Sequence, residues 1–256
     1  MGNIELEIHN KVAIVTLNKK PFNLVNREYY AEIKLFMENL NLREDFNVVI
    51  LRSGCKCFCA GGDLDEIKNI VTLGDDFATY ACRSCAEAMG AIINCKKPVI
   101  AAVNGKAIGA GAAIVASCDI IIADEEAVFS FPEITVGLIG ASEFLQILIP
   151  RRLARYYVLT GQPIKAQEVK AFGGILDVVP KENLMERAFK VADEISILAP
   201  KSVTLLKKAL NDNDNERLSE KYMHEAKLGL QFYKSKDAKE TIASVLEKRK
   251  PVFTGE

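Results

Sequence analysis

The order of short β-rich runs and longer helical stretches constrains the fold of this chain more than any other feature. Through the first two-thirds of the sequence, runs dense in Val and Ile alternate with stretches whose apolar residues recur at helical spacing. Such alternation is typical of βαβ units that build a largely buried parallel sheet. Strands are predicted at residues 12–17, 48–52, 99–103, 120–123, 128–131 and 175–179, with helices at residues 26–41 and 75–95.

From residue 181 onward the pattern becomes helical throughout. Helices are predicted at residues 182–199, 201–210, 215–233 and 237–248. The third of them carries an apolar stripe on one face, formed by Leu218, Tyr222, Ala226, Leu230 and Tyr233. A stripe of this kind must be covered, either by the chain's own core or by another subunit.

Length and charge narrow the class of protein. The 256 residues are enough for one large domain, or for one domain with an appendage. The formal net charge of -1 gives no reason to expect a nucleic-acid or anionic-membrane partner. No apolar run approaches the roughly 20 residues of a membrane span, and the polar, acidic residues 1–10 do not resemble a secretion signal. We therefore expect a cytoplasmic protein.

Seven cysteines raise the question of a metal site. Cys55, Cys57 and Cys59 stand at every second position, whereas zinc ligands usually come in two pairs with wider spacing or with a nearby His. Cys82 and Cys85 have CxxC spacing, but they fall in a predicted helix without a partner pair. We therefore expect reduced thiols and no metal.

Two glycine-bearing segments each follow a predicted strand. The first is FCAGGD at residues 58–63, and the second is NGKAIGAG at residues 104–111. Each predicts a strand-to-helix turn at the carboxyl end of a strand, the edge at which open α/β sheets bind ligands. The N–H groups at such a helix start are unpaired and lie at the positive end of the helix dipole. Neither segment is a GxGxxG fingerprint or a P-loop, so nucleotide phosphate binding is disfavoured.

Taken together and in this order, these segments resemble the crotonase superfamily, which is the enoyl-CoA hydratase/isomerase family. That family has F-x-A-G-x-D, then N-G-x-A-x-G-x-G, then C-D-x-x-x-A and P-E-x-x-x-G. This chain has the four motifs at residues 58–63, 104–111, 118–123 and 132–137. The likeness extends to both ends of the chain, with PFNLVN at residues 21–26 and EKRKPVF at residues 247–253.

The resemblance implies an α/β fold, namely a ClpP-like spiral of ββα units with a helical C-terminal region. It divides the chain into an acyl-CoA-binding core at residues 1–195 and a helical trimerisation region at residues 196–256. Family members usually form trimers, often paired into hexamers, so a homotrimer or a dimer of trimers is expected. Coenzyme A would enter as part of the acyl-CoA substrate, and no separate cofactor, nucleic acid or membrane is expected.

The resemblance also implies an oxyanion hole. The backbone N–H groups of Gly62 and Ala110 occupy the positions of the family's two donors. Removing a proton next to a thioester places negative charge on its oxygen, and each donor in such a hole is worth about 3–4 kcal/mol. The donor is a backbone group, so Ala can stand at position 110 where the family usually has Gly.

The acid/base residues separate the members of this family. Hydratases carry one Glu three residues after the second donor, where this chain has Ala113, and a second Glu in the P-E motif, present here as Glu133. Family isomerases that move a double bond resemble this chain, because one base can shuttle a proton between two carbons. We therefore expect enoyl-CoA isomerisation by Glu133. Hydration or dehydration is the alternative, followed by hydrolysis or decarboxylation and by non-catalytic acyl-CoA binding.

Several further residues are candidates with competing interpretations. Glu143 is either a reaction-specific helper or a first-turn helix carboxylate favoured by the dipole, and Asp63 either braces its loop or takes part. By resemblance, the backbone near Ala60 meets the adenine of coenzyme A. Basic side chains that could meet its phosphates, or could be ordinary surface residues, are Lys19, Lys56 and Lys248 with its neighbours Arg249 and Lys250.

Overall fold

The β-branched runs pair into a six-stranded sheet, seen here in a computed structural model that describes residues 2–214 and 218–255. Its strands, in spatial order, are β1 (Ile4–His9), β2 (Val12–Leu17), β3 (Val48–Ser53), β4 (Val99–Val103), β6 (Ile120–Asp124) and β9 (Asp177–Val179). The pairs from β2 to β9 are parallel, as predicted, and β1 pairs antiparallel with β2. Sequence analysis missed β1, whose Glu residues alternate with the inward-facing Ile4, Leu6 and Ile8.

A second, three-stranded sheet is made of very short strands. They are, in spatial order, β5 (Lys106–Ile108), β7 (Val128–Ser130) and β8 (Ile164–Lys165). Sequence analysis predicted β7 alone, because two or three residues are too few to show a period. Strand β5 lies between the two halves of the second glycine segment, so this small sheet fixes the position of the helix that follows it.

The helices follow the alternation, and several are short. They are α1 (Arg27–Leu40), α2 (Leu64–Thr72), α3 (Asp75–Ile93), α4 (Ala110–Ala116), α5 (Ser142–Gln146), α6 (Arg151–Thr160), α7 (Ala166–Ala171), α8 (Leu184–Ser196), α9 (Pro200–Asp214), α10 (Leu218–Phe232) and α11 (Lys236–Glu247). The predicted start of α10 at residue 215 lies outside the described residues. Across the two described ranges, no helix has the length and apolar character needed to cross a membrane.

Both faces of the large sheet are buried, which explains its continuous apolar runs. One face, with Val49 and Leu51, packs into a core shared with α1 and α3. The other face, with Val48 and Ile50, is covered by the apolar stripe of α8. Full burial of such a side chain contributes about 1.5–3 kcal/mol. The sheet is therefore a rigid base from whose strand ends the functional loops project.

The C-terminal helices pack on the chain's own core. Tyr222 and Ala226 of α10 join the main core, and Tyr233 packs with Ile67 of α2 and Ile242 of α11. This arrangement covers Tyr222, Ala226 and Tyr233 of the stripe predicted on α10, and the Leu218 side chain lies outside the described part of the chain. Helix α9 is anchored by the buried Lys207, whose Nζ lies 2.6 Å from Asp119 Oδ2.

Candidate active site

The predicted strand-to-helix turns and the P-E motif border one cavity of about 280 Å³. Its walls are the segments 60–62, 108–110 and 132–141, together with the inner faces of α2, α3, α4 and α10. The cavity is thus built from motifs far apart in the sequence, and it brings Gly62, Ala110, Ala113 and Glu133 to one place. Helix α10 closes it with Tyr222.

The first glycine segment is held in an extended form by a parallel bridge between Val25 and Gly62. In this bridge the Val25 N–H donates to Gly61 O at 2.9 Å, and the Asp63 N–H donates to Val25 O at 2.8 Å. Because neighbouring N–H groups of an extended chain point in opposite directions, the Gly62 N–H lies on the opposite edge from Val25. Within the described parts of the chain, no protein group accepts a hydrogen bond from it.

The second donor position is the first residue of α4. Gly109 precedes it with a φ of 49°, and its N–H donates to Ser130 O at 2.7 Å. The Ala113 N–H donates to Gly109 O at 2.9 Å, so the helix begins here and leaves the Ala110 N–H without an intrahelical partner. Ala110 itself needs no positive φ, which explains why a residue with a Cβ is accepted at this position.

Glu133 opens a short 3₁₀ turn, Glu133–Val136, directly after Pro132. Its Oε1 lies so close to Gly109 that a Cβ there would be only 2.8 Å away, so a side chain at position 109 would displace this carboxylate. Its Oε2 is buried and, among the described residues, has no hydrogen-bond partner. Burial, with a smaller contribution from the nearby Glu225 carboxylate, raises the pKa of the Glu133 carboxyl to about 8.

Ala113 lies one helical turn after Ala110 and is fully buried against the cavity. Its methyl group stands where a second carboxylate would otherwise project over the Ala110 N–H. The cavity wall carries one other carboxylate, Glu66, which lies 2.7 Å from Arg27 Nε. Over residues 2–214 and 218–255, Glu133 is therefore the one wall carboxylate without an ion-pair partner.

Comparison with known proteins gives consistent matches along almost the whole chain. The family model "Enoyl-CoA hydratase/isomerase" matches residues 7–256. The chain belongs to the enoyl-CoA hydratase/isomerase family. It is 32% identical over 256 residues to the short-chain-enoyl-CoA hydratase of Clostridium acetobutylicum, covering 98% of this chain and 97% of that protein.

Two further family members extend the comparison. A (7aS)-7a-methyl-1,5-dioxo-2,3,5,6,7,7a-hexahydro-1H-indene-carboxyl-CoA hydrolase of Rhodococcus jostii is 33% identical over 203 residues, covering 79% of this chain and 78% of that protein. The crystal structure of an enoyl-CoA hydratase/isomerase from Pseudoalteromonas atlantica T6c superposes with a TM-score of 0.86 at 28% identity, covering 99% of this chain and 100% of that one. The crotonase fold expected from the motifs is thereby confirmed.

The two accessory carboxylates lie outside the cavity wall of this family member. Asp63 is the N-cap of α2 and accepts from the Asp65 N–H at 2.9 Å, which is a structural use of the side chain. Glu143, in the first turn of α5, pairs with Lys221 Nζ at 3.3 Å and accepts from Gln146 Nε2 at 2.9 Å. The carboxylates of Asp63 and Glu143 are therefore engaged by groups outside the cavity.

The residues predicted to contact coenzyme A are dispersed. Ala60 lies on the cavity wall, and its N–H donates to Phe22 O at 3.0 Å. Lys19 Nζ donates to Leu24 O at 2.8 Å, so this lysine braces its own loop. Lys56 Nζ lies 5.9 Å from the centre of the Phe22 ring, and Lys248 ends α11 with a φ of 54°. None of these three lysines borders the described cavity.

Five further polar side chains on the same wall were not predicted as site residues. They are the phenols Tyr30, Tyr222 and Tyr233 and the thiols Cys82 and Cys85. Two sequence patterns pointed to parts of this group. The spacing of the two cysteines places them on one face of α3, and the apolar stripe of α10 contains two of the tyrosines. Neither pattern indicated that these faces of α3 and α10 meet at the cavity.

A second carboxylate, the half-buried Glu225 on α10, lies near Glu133. It accepts from the Ser142 N–H at 3.2 Å and also from the Ser142 hydroxyl. Burial, with a smaller contribution from the Glu143 carboxylate, raises the pKa of Glu225 to about 7. Its charge therefore varies near neutral pH and acts on Glu133.

Proposed function

We propose that this protein is an enoyl-CoA double-bond isomerase in which Glu133 is the only base. The observation that carries the proposal is the pairing of an unpartnered carboxylate at position 133 with a methyl group at position 113. Both border the cavity that also contains the Gly62 and Ala110 amides. A single base is enough to move a double bond, whereas family hydratases divide their work between two carboxylates.

In the first proposed step, the Glu133 carboxylate removes a proton from C2 of a 3-enoyl-CoA. The C–H electron pair moves toward the thioester carbonyl, so that negative charge develops on the thioester oxygen. The Gly62 and Ala110 N–H groups, which have no partner in the described chain, would donate to this oxygen. The apolar surroundings that raise the pKa of Glu133 also make the carboxylate a stronger base.

In the second step, the protonated Glu133 returns the proton to C4 of the dienolate. The double bond then lies between C2 and C3, in conjugation with the thioester, and the carboxylate is regenerated. Only a proton and an electron pair have moved, so the reaction requires neither a metal nor a redox cofactor. Coenzyme A acts solely as the carrier of the acyl group.

Hydration of a 2-enoyl-CoA is the second candidate. It is supported by the name of the Clostridium acetobutylicum relative, a short-chain-enoyl-CoA hydratase. In this reaction Glu133 would have to activate the water at C3 and also supply the proton at C2. The missing carboxylate at position 113 makes this double role harder, so we rank hydration second.

The two reactions are distinguished by supplying trans-3-hexenoyl-CoA and trans-2-hexenoyl-CoA in separate assays. The isomerase proposal predicts rapid growth of the conjugated-thioester absorbance from the 3-enoyl substrate, with no change in product mass. A faster gain of one water by the 2-enoyl substrate would favour the hydratase instead. Release of free coenzyme A would indicate hydrolysis of the thioester instead of either reaction.

Variants at position 133 test the assigned base. Glu133→Gln should lower isomerisation by at least about a hundredfold, the lower end for a lost general acid–base group. Glu143→Gln is the matched control, because Glu143 is near but outside the cavity wall. Equal activity of Glu133→Gln and the unmodified protein would contradict the assignment.

We further propose a homotrimer or a dimer of trimers, with residues 196–256 as the trimerisation region. The support is the exposed apolar surface of α9, where Leu205, Leu206 and Leu210 are each more than half exposed. Light scattering coupled to size exclusion would give the mass directly. A monomer at micromolar concentration would contradict this part of the proposal.

A further inference from the structure

The part of the cavity wall formed by α1, α3 and α10 carries more hydrogen-bonding groups than an alkyl chain can use. Cys82 and Cys85 lie one turn apart on α3, and Tyr30 and Tyr222 line the same cavity near them. All four side chains border the cavity, whose remaining wall is largely aliphatic.

The neighbours of these two hydroxyls are weak hydrogen-bonding groups. A thiol is a poor hydrogen-bond donor and acceptor, so two phenols that lie near thiols retain donor capacity. Among the described residues, no oxygen or nitrogen atom is a hydrogen-bond partner of either hydroxyl. Enclosing a hydroxyl without a proper partner costs about 1–3 kcal/mol. An alkyl chain filling this cavity would therefore leave the Tyr30 and Tyr222 hydroxyls poorly satisfied.

The Tyr222 ring is held in a fixed position. It packs edge-on against Phe144 with ring centroids 5.8 Å apart, and a Cβ at Gly140 would lie 3.7 Å from its Cε2. The ring therefore cannot swing away from the cavity without disturbing α5 and the 137–141 loop. A hydroxyl held in this way is suited to recognising one atom of a ligand.

The charge of the surroundings limits what that ligand group can be. Burial raises the pKa of both phenols well above the usual value, so that they stay neutral donors. Two carboxylates, Glu133 and Glu225, lie close to this part of the cavity. An anionic group on the acyl chain would be repelled by them, whereas a neutral carbonyl or hydroxyl oxygen would accept from the phenols without this penalty.

We propose that Tyr30 and Tyr222 form a subsite for an uncharged oxygen function, a ketone or a hydroxyl, on the acyl group beyond its reacting carbons. This inference rests on the proposed acyl-CoA function and names its substrate class. A ligand oxygen would accept from these hydroxyls more strongly than the neighbouring thiols of Cys82 and Cys85 can.

Binding of saturated acyl-CoAs tests the subsite independently of any turnover. Calorimetric Kd values would be measured for hexanoyl-CoA, 4-oxohexanoyl-CoA, 5-oxohexanoyl-CoA and adipoyl-CoA. One added hydrogen bond predicts that at least one oxo compound binds about five- to tenfold tighter than hexanoyl-CoA. Adipoyl-CoA, which carries a carboxylate, should bind more weakly than either oxo compound.

Two phenylalanine variants locate the effect. Tyr222→Phe should bring the ratio of the hexanoyl to the oxo-hexanoyl Kd toward one, and Tyr30→Phe should reduce it. Tyr29→Phe is the matched control, since its hydroxyl is also buried but lies outside the cavity wall, and it should leave the ratio unchanged. Circular dichroism and thermal unfolding would verify that each variant is folded.

The outcomes separate this inference from the proposed function. Equal or tighter binding of hexanoyl-CoA by the unmodified protein overturns the subsite while leaving the isomerase proposal intact. A preference that survives in both Tyr222→Phe and Tyr30→Phe also overturns it. Failure to bind any of the four acyl-CoAs overturns the acyl-CoA function and the subsite together.

Discussion

Replacing Glu133 with Gln should stabilise the protein at neutral pH while abolishing its proposed activity. The pKa of this carboxyl is raised from 4.5 to about 8 in the folded protein, chiefly by burial. The folded state therefore holds the proton more tightly than the unfolded chain, and the free energy of unfolding falls as pH rises from 4.5 toward 8. Gln has a similar shape and cannot ionise, so the free energy of unfolding of the variant should not fall over this pH range because of residue 133.

The size of the effect follows from the two pKa values. At pH 7 the difference in proton binding destabilises the folded state by about 3 kcal/mol, and at pH 5 by about 1 kcal/mol. The free energy of unfolding of Glu133→Gln should therefore exceed that of the unmodified protein by about 2 kcal/mol more at pH 7 than at pH 5. Below pH 4.5 the two proteins should unfold alike with respect to this group.

Urea unfolding at both pH values measures this gain. Glu125→Gln is the control, because the Glu125 side chain is exposed and its loss should show no comparable dependence on pH. An equal stability change at pH 5 and pH 7 would refute the buried-carboxylate reasoning. So would a Glu133→Gln variant that is less stable than the unmodified protein at pH 7.

Three further changes test the site. Ala113→Glu should introduce measurable hydration of 2-hexenoyl-CoA, because it adds the carboxylate that family hydratases have. Mass spectrometry of the product measures the gain of water, and no gain would count against the role given to this position. Glu225→Gln should lower the pKa of Glu133, so the rise of kcat/KM with pH should move to lower pH, and an unmoved profile would exclude their coupling. Gly109→Ala should lower kcat at least about tenfold, because the new Cβ would lie 2.8 Å from Glu133 Oε1 and the φ at this position is 49°. Gly90→Ala is the control, because a Cβ at position 90 meets nothing within 4 Å. This control should stabilise α3 by about 0.5–1 kcal/mol without affecting turnover.

The large sheet was predictable because its strands are buried on both faces. The predicted range 99–103 coincides with β4, and 48–52 ends one residue before β3 does. Strand β1 was not predicted, since its alternating Glu residues resemble a polar terminus until Ile4, Leu6 and Ile8 are seen to face the same side. Edge strands with one wet face carry a weaker signal than central ones.

The motifs located Gly62, Ala110 and Glu133, but not the contacts between them. The approach of Glu133 Oε1 to Gly109 joins residues whose proximity depends on the pairing of β5 with β7. The coupling between Glu133 and Glu225 is harder still to predict, because it depends on the packing of α10 against α3, and more than a hundred residues separate these two helices in the sequence. Local sequence patterns contain no information about which helical faces meet.

A base whose pKa lies near 8 suits a reaction in which the same group must accept and then return a proton. A carboxylate with an ordinary pKa of 4.5 would be a weaker base toward the C2 proton, and one with a pKa far above 8 would be almost entirely protonated at the start. A second carboxylate at position 113 would share this cavity, and like charges would force one of the two to remain protonated. Hydration uses such a division between an acid and a base, whereas isomerisation does not need it. Because Ala113 has only a methyl group, no second carboxyl at that position shares the proton with Glu133, and burial can raise the pKa of Glu133. Under this condition one residue can serve as both base and acid.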